Sequence, residues 1–331
     1  MRKIKLFIPF AFLFFLTGCA TKIHKQVVRP AELNLNGAKT IAVLPFKTSQ
    51  TEQSSSRSNL DILDFFFVAS GSSNSSSETS DRKKVCEAVT EKLTTAFVDD
   101  DYFTVVSSSS VQDALKKGKT PKCDVYLTGY LYNYDDEIEK IENKKDGKKE
   151  IKYQRHAEAT IIDEIVDAKT NTVLTHRYKT IGGYSSYEKS KNKLSSGVEL
   201  IRNNMSSLIT DLRRLTKPYT VTVTFTLLED KTKDARIQDA HELAKNKDLE
   251  MAKDAFLKEY DRTGNFECAY NAAVLMEVMQ EYDEAEKLAE NLYKKTADKR
   301  ALKLLNNIQS EKQYAEKLKN QVDARDNSSK K

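Results

Sequence analysis

The chain has 331 residues, with 54 Lys and Arg against 49 Asp and Glu, a net charge of +5, four cysteines and no tryptophan. This length suits two domains of ordinary size. Nearly balanced charge leaves no electrostatic case for nucleic acid, and the absence of a CxxC pair leaves none for a zinc or thioredoxin-like site.

Arg2, Lys3 and Lys5 precede an apolar run from Leu6 to Leu16, the layout of a secretory signal. The run falls short of the roughly 20 residues that span a bilayer. Leu16-Thr17-Gly18-Cys19 closes it, with small residues that let a peptidase approach the backbone. An unmodified cysteine in a cleaved signal and an uncleaved helical anchor are the competing readings. The tetrad resembles the bacterial lipobox, which implies that Cys19 is the lipidation site and the new N-terminus. Residues 1–18 are then a signal peptide and 19–37 a lipid-anchored extended tether. About 310 residues remain, and loss of the three cations brings the net charge to +2. Ala20 resembles an outer-membrane sorting signal, provided the source has two membranes, and the body then faces the periplasm.

Lys39 to Phe46 reads as a strand buried on both faces, with Pro45 at its end or edge. Residues 47–80 are Ser-rich around an apolar island from Leu60 to Val68. The island either covers the sheet or meets a partner or the membrane surface. Ser80 is placed to cap a helix running to Val98, with Val85, Val89, Leu93 and Phe97 on one stripe. Tyr102 to Val106 reads as a strand and Ser110 to Lys117 as a short helix. Asp124 to Tyr134 reads as a longer strand with Tyr126, Tyr130, Tyr132 and Tyr134 on one face, either packed under a helix or serving as a contact surface. Residues 135–153 are dense in charge, with Asp146-Gly147 as a turn signal. Ala157 to Ala168 and Val173 to Thr180 form a hairpin around Lys169-Thr170-Asn171-Thr172. One helix is expected from about Ser190 to Leu215, stopped by Pro218, and a last strand from Tyr219 to Leu228.

After Asp230 the composition turns to Ala, Glu, Lys and Leu with helical spacing, so a boundary is expected near 230–236. Asp248 to Phe256 and Glu281 to Leu292 are similar, with Ala252 and Ala285 33 positions apart. Together with Ala269-Tyr270-Asn271-Ala272-Ala273, this spacing resembles the tetratricopeptide repeat, of period roughly 34. Gln280 stands where that repeat usually has Gly, and an ordinary helical bundle is the alternative.

The first half runs strand, helix, strand, short helix, strand, hairpin, helix, strand. Ile41 to Phe46 behind a lipobox, and the hairpin from Ile165 to Leu174, resemble the curli-secretion lipoprotein (CsgG) family and the LpoB-type activators of penicillin-binding proteins. Asn171 stands where Gly is commoner. The likeness covers about 38–228. The expected fold class is α+β: a mixed sheet with packed helices over 38–230, an all-helical tetratricopeptide-like domain over 236–322, and a disordered tail over 323–331. The pore of the channel members is not carried over. The matching insertions, 135–153 and 184–193, are charged or polar, and a Lys near the bilayer midplane costs about 2–4 kcal/mol.

No enzyme is expected. His24, His156, His176 and His241 show no metal-ligand spacing, and no GxSxG, P-loop or dinucleotide fingerprint occurs. His156 and His176 are placed where they could face each other across the hairpin, and packing or surface residues are the preferred reading. Asp135-Asp136 and Asp163-Glu164 read as solvated surface. Without Cys19 three cysteines remain. Cys86 and Cys123 pair only if the fold brings them close, and small buried hydrophobes are the preferred reading. No cofactor and no metal are expected. The expected function is a non-enzymatic adaptor that binds envelope proteins through the helical repeats and the membrane through lipidated Cys19. An LpoB-type regulator of cell-wall synthesis and a CsgG-type secretion-pore subunit are the alternatives. Oligomeric state and partner identity stay open.

Overall fold

The computed structural model describes residues 21–48, 77–145 and 148–328. Cys19, the apolar island at 60–68 and the Asp146-Gly147 turn lie outside them. Two compact units form: residues 30–219 with 318–331, and 220–317 with the chain up to Arg29.

The first unit holds a six-stranded sheet in the order β4-β2-β5-β6-β7, with β3 also on β5. Its strands are β2 (Thr40–Val43), β3 (Lys47–Thr48), β4 (Thr104–Val105), β5 (Val125–Lys145), β6 (Lys148–Asp167) and β7 (Thr172–Tyr184). Strand β2 pairs in parallel with β4 and β5, β3 pairs in parallel with β5, and β6 pairs antiparallel with β5 and β7. The run from Lys39 to Phe46 does not form one strand. Pro45 has no N–H to give the ladder, so pairing on β5 jumps from Val43–Leu127 to Lys47–Tyr130. Across the gap the Phe46 ring lies on Gly129, where a Cβ would stand 2.4 Å from it. At the β6–β7 turn Asn171 adopts φ +56°, the left-handed region expected from its Gly-like position. Its side chain also accepts the Tyr126 hydroxyl at 2.5 Å.

Helix α1 (Ser77–Val98) packs Val85, Val89, Leu93 and Phe97 into the main core of this sheet. Helix α2 (Ser108–Lys116) covers Ala42, Leu44, Tyr126 and Val166 in a smaller core. The single helix expected over 190–215 is broken into a 3-10 turn (Lys191–Lys193), α3 (Gly197–Asn203) and α4 (Ser206–Thr216). Asn204 ends α3, and a Cβ on Gly183 would stand 2.6 Å from its side-chain nitrogen.

Two further expectations need correction. Strands β5 and β6 do not stop near Tyr134 and Ala157 but continue as a two-stranded arm, paired as far as Lys145–Lys148. Cross-strand ion pairs such as Arg155–Asp136 and Lys149–Glu142 hold the charges that sequence reading assigned to an insertion. Nor are residues 323–327 disordered. They end a long helix, in which Gln321 accepts the Ala31 N–H at 2.9 Å and donates to its C=O at 3.0 Å, while Arg325 donates to the carbonyls of Ala38 and Tyr102.

The second unit contains a two-stranded ribbon of β1 (Lys22–Arg29) and β8 (Tyr219–Thr226). It also contains α5 (Ala235–Lys245), α6 (Leu249–Thr263), α7 (Phe266–Met279), α8 (Tyr282–Thr296) and the first part of α9 (Lys299–Asn327). The extended tether expected over 19–37 is therefore ordered from Thr21 onward. The boundary expected at 230–236 lies instead at 219/220, because β8 pairs with β1 and buries Phe225 and Leu227 among the helices. Backbone features recur at 33 residues. Lys247 and Gln280 take φ +68° and +69°, and Gly264 and Ala297 take φ +69° and +53°. Asp248 and Glu281 precede their helices at φ −83° and −82°. Ala240 and Ala273, like Ala252 and Ala285, are fully buried where paired helices meet.

Candidate functional site

Two surfaces stand out by their side chains, one in each unit. In the sheet unit, cross-strand pairing sets which side chains share a face. Ala157, Ala159, Ile161 and Ile165 of β6 face the main core. Their even-numbered neighbours face outward, opposite Tyr184, Thr180, Tyr178 and His176 of β7. A register irregularity between Leu131 and Asn133 shifts the parity of β5. Tyr134 thereby joins the main core, Tyr126 sits under α2, and Tyr132 is exposed. The expected row of four tyrosines on one face is thus split.

The outward face carries a set that sequence reading did not assemble. The Tyr132 and Tyr178 rings meet edge to face at 6.3 Å, and His176 stands edge-on to Tyr178 at 5.2 Å. His176 Nδ1 lies 2.6 Å from Glu164 Oε1, and Thr160 and Thr180 hydroxyls pair at 3.0 Å. His156 stacks on Tyr184 at 4.3 Å. The two hairpin histidines therefore do not face each other, because each is opposite a different residue of the partner strand. Tyr178 and Tyr184 are each 63% exposed. Rigid, amphipathic rings on a fixed sheet are what a protein-contact surface is built from.

Beneath that sheet lies Asp163, buried completely rather than solvated as expected. Arg177 donates to its Oδ2 from Nε at 3.0 Å and from Nη2 at 2.9 Å. Burial raises the Asp163 pKa, and Arg177 opposes that only in part. Lys179 pairs with Asp211 of α4 at 2.6 Å. These charges fasten β7 to β6 and α4.

In the helical unit the β1–β8 ribbon meets the first helix of each pair. Thr21, just before β1, pairs with His241 of α5 at 3.2 Å. Lys25 donates to the Val278 carbonyl of α7, and Arg29 forms a forked ion pair with Glu311 of α9. Just past β8, the fully buried Asn271 of α7 accepts the Leu228 N–H at 2.7 Å and donates to the Leu228 C=O at 2.8 Å. This side chain reads extended backbone as a neighbouring strand does. The sequence signal was a lone Asn inside the apolar stretch Ala269–Val278, where a polar group must be paired. Asn271→Ala is expected to leave both Leu228 groups without partners and cost about 2–4 kcal/mol. Hydrogen exchange at Leu228 should quicken, whereas unchanged protection there would contradict the clamp.

Glu277, one helical turn and a half beyond Asn271, is also buried, and burial first and Glu311 second raise its pKa to about 8. Cys86, Cys123 and Cys268 are free and buried, with burial lifting their thiols to about 11, 11 and 12. Cys86 and Cys123 are thus not paired. Among the described residues no group of three or more His, Cys, Asp and Glu is placed to hold a metal ion.

No protein-family profile matches the chain, and no curated protein matches it. Among solved structures it is similar to the PelC dodecamer from Paraburkholderia phytofirmans, at 12% identity and a TM-score of 0.24, over 56% of this chain and 96% of that one. A variant of the same PelC in another crystal form gives 12% and 0.26 over 57% and 98%. A neuraminyllactose-binding hemagglutinin homologue from Helicobacter pylori gives 12% and 0.27 over 56% and 83%. At these scores the likenesses assign neither family nor function to the chain.

Proposed function

We propose that this chain is a lipid-anchored, periplasm-facing envelope lipoprotein acting as a non-enzymatic protein-binding adaptor. The outward face of β5, β6 and β7 is its contact surface. The single observation that carries the reading is the tyrosine-bearing sheet face, on which Tyr132 and Tyr178 are exposed and meet edge to face. The helical unit is read as a tetratricopeptide-like array, supported by the 33-residue recurrence of its turns. In such arrays the first helices line the binding groove. Here they carry the chain's own ribbon, so the sheet face replaces the helical groove as the proposed partner site. An LpoB-type regulator is this same reading with a cell-wall synthase as the partner. The β5–β6 arm lends the pore reading no support. One of its faces mixes Ile138 and Ile151 with Lys140 and Glu142, and the other carries Glu137, Glu139 and Lys152.

The test is crosslinking capture from native envelope with full-length protein. Loss of a central interface aromatic costs at least about 2 kcal/mol at a hot spot. Tyr178→Ala and Tyr132→Ala should each lower capture of a specific envelope protein at least about tenfold. Asn271→Ala should capture it as the wild type does. Equal capture by the tyrosine variants, or selective loss in the Asn271 variant, sinks the sheet-face reading.

A further inference from the structure

We infer that the lipid anchor has almost no slack, so that it presses the Thr21–His241 end of the helical unit against the lipid headgroups. The inference rests on the anchored reading of Cys19 and adds an orientation to it. A free tether over residues 19–37 would let the body stand as far as about 65 Å from its lipid, at roughly 3.3–3.6 Å per residue. The structure removes that reach. Thr21 is 5% exposed. Its carbonyl accepts the Leu227 N–H at 2.9 Å, and its hydroxyl pairs with His241 Nδ1 at 3.2 Å. From Lys22 the chain is already a strand of the ribbon. Between Cys19 and this fixed point stands Ala20 alone. Two residues span at most about 7 Å, less than the thickness of a headgroup layer.

The surface around Thr21 suits such a position. It is a cavity of about 300 Å³ whose rim includes Asp230, Gln238, Glu242 and Lys245. Glu229 lines it as well, so three carboxylates face one lysine, a polar lining that suits wet zwitterionic headgroups rather than the hydrocarbon core. No burial in the acyl region is required, because the diacylglycerol on Cys19 supplies the affinity, at about 0.8 kcal/mol per buried methylene. The partner of this face is the headgroup layer of the membrane that holds the anchor.

Lipidated full-length protein, reconstituted in phospholipid vesicles with a headgroup-attached quencher, tests this. A thiol dye is placed by Glu242→Cys on α5, beside Thr21, or by Glu290→Cys on α8. Both glutamates are exposed and bonded only to a lysine on their own helix. The buried native thiols compete poorly for the dye. Helices α6 and α7 pack between α5 and α8 in chain order. The expected result is strong quenching at 242 and weak quenching at 290. Inserting about 15 Gly and Ser residues after Ala20 adds an average reach of roughly 20 Å and should abolish the difference while the protein stays on the vesicles. Equal quenching at both sites without the insertion, or an unchanged difference with it, overturns the inference. Protein that never joins the vesicles, or a Cys19→Ser variant that still does, overturns the anchored reading and the inference with it.

Discussion

Glu277→Gln should stabilise the helical unit, and the gain should grow with pH. The Glu277 carboxyl is buried on α7 beside Glu311, with Arg29 opposing, and its pKa stands near 8 against an ordinary 4.5. The folded state therefore holds a proton that the unfolded chain releases through the window from about 4.5 to 8. Stability is highest below the unfolded value and falls as pH rises through the window, by about 1.4 kcal/mol per unit. At pH 7 the loss from this one group is about 3 kcal/mol. Glutamine keeps the shape and removes the ionisation. The 33-residue spacing supports this direction, since the equivalent position in the preceding pair is the buried Ala244. Urea unfolding followed by circular dichroism, at about pH 5 and about pH 8, is the measurement. A stability difference between wild type and variant that does not change with pH would exclude a protonated Glu277.

Arg177→Ala should act in the opposite direction on the sheet unit. It strands the Asp163 carboxylate at full burial, with Oδ1 already lacking a hydrogen-bond partner. Removing one member of a buried pair costs about 3–5 kcal/mol, chiefly because the other charge is left uncompensated. The double variant Asp163→Leu with Arg177→Met should recover most of that loss, since replacement of a buried pair by packed apolar groups is often neutral. The same unfolding experiment reads both. A double variant as unstable as Arg177→Ala would mean that the pair orders β6 and β7 by more than compensating charge. Because Tyr178 lies on the other face of the same strand, partner capture by the double variant also tells whether loss of the pair disturbs the proposed contact surface.

Which parts of the protein were legible in the sequence follows from what a sequence pattern measures. Periodicity reports local burial, so α1, α2, the β6–β7 hairpin and the helical second half were read from apolar spacing together with turn residues and composition. Single residues with narrow backbone demands were equally readable. Pro45 breaks the first ladder, and Asn171 takes the left-handed turn position. The proposed contact surface was legible only in part. Its tyrosines were seen, but the shift between Leu131 and Asn133 decided that Tyr134 goes inward and Tyr132 outward. One extra residue on one strand leaves no mark in composition, yet it inverts every face beyond it.

The sequence by itself determined α1, α2, the β6–β7 hairpin, β8 and the helical second half, but not strand β1, the β5–β6 arm or the break in the 190–215 helix. Tertiary structure alone decided that β8 pairs with β1 rather than joining the six-stranded sheet. A strand's apolar pattern states that it is buried and is silent on its partner. The same holds for Asn271 and Asp163, whose residue types suggest surface. Their burial is set by groups 43 residues away for the Asn271–Leu228 clamp and 14 for the Asp163–Arg177 pair. It holds also for Gln321, which fixes the backbone of Ala31 from 290 residues away. Side-chain amides and carboxylates go inside when folding delivers a partner with matching donors and acceptors, and that delivery is a property of the assembled chain.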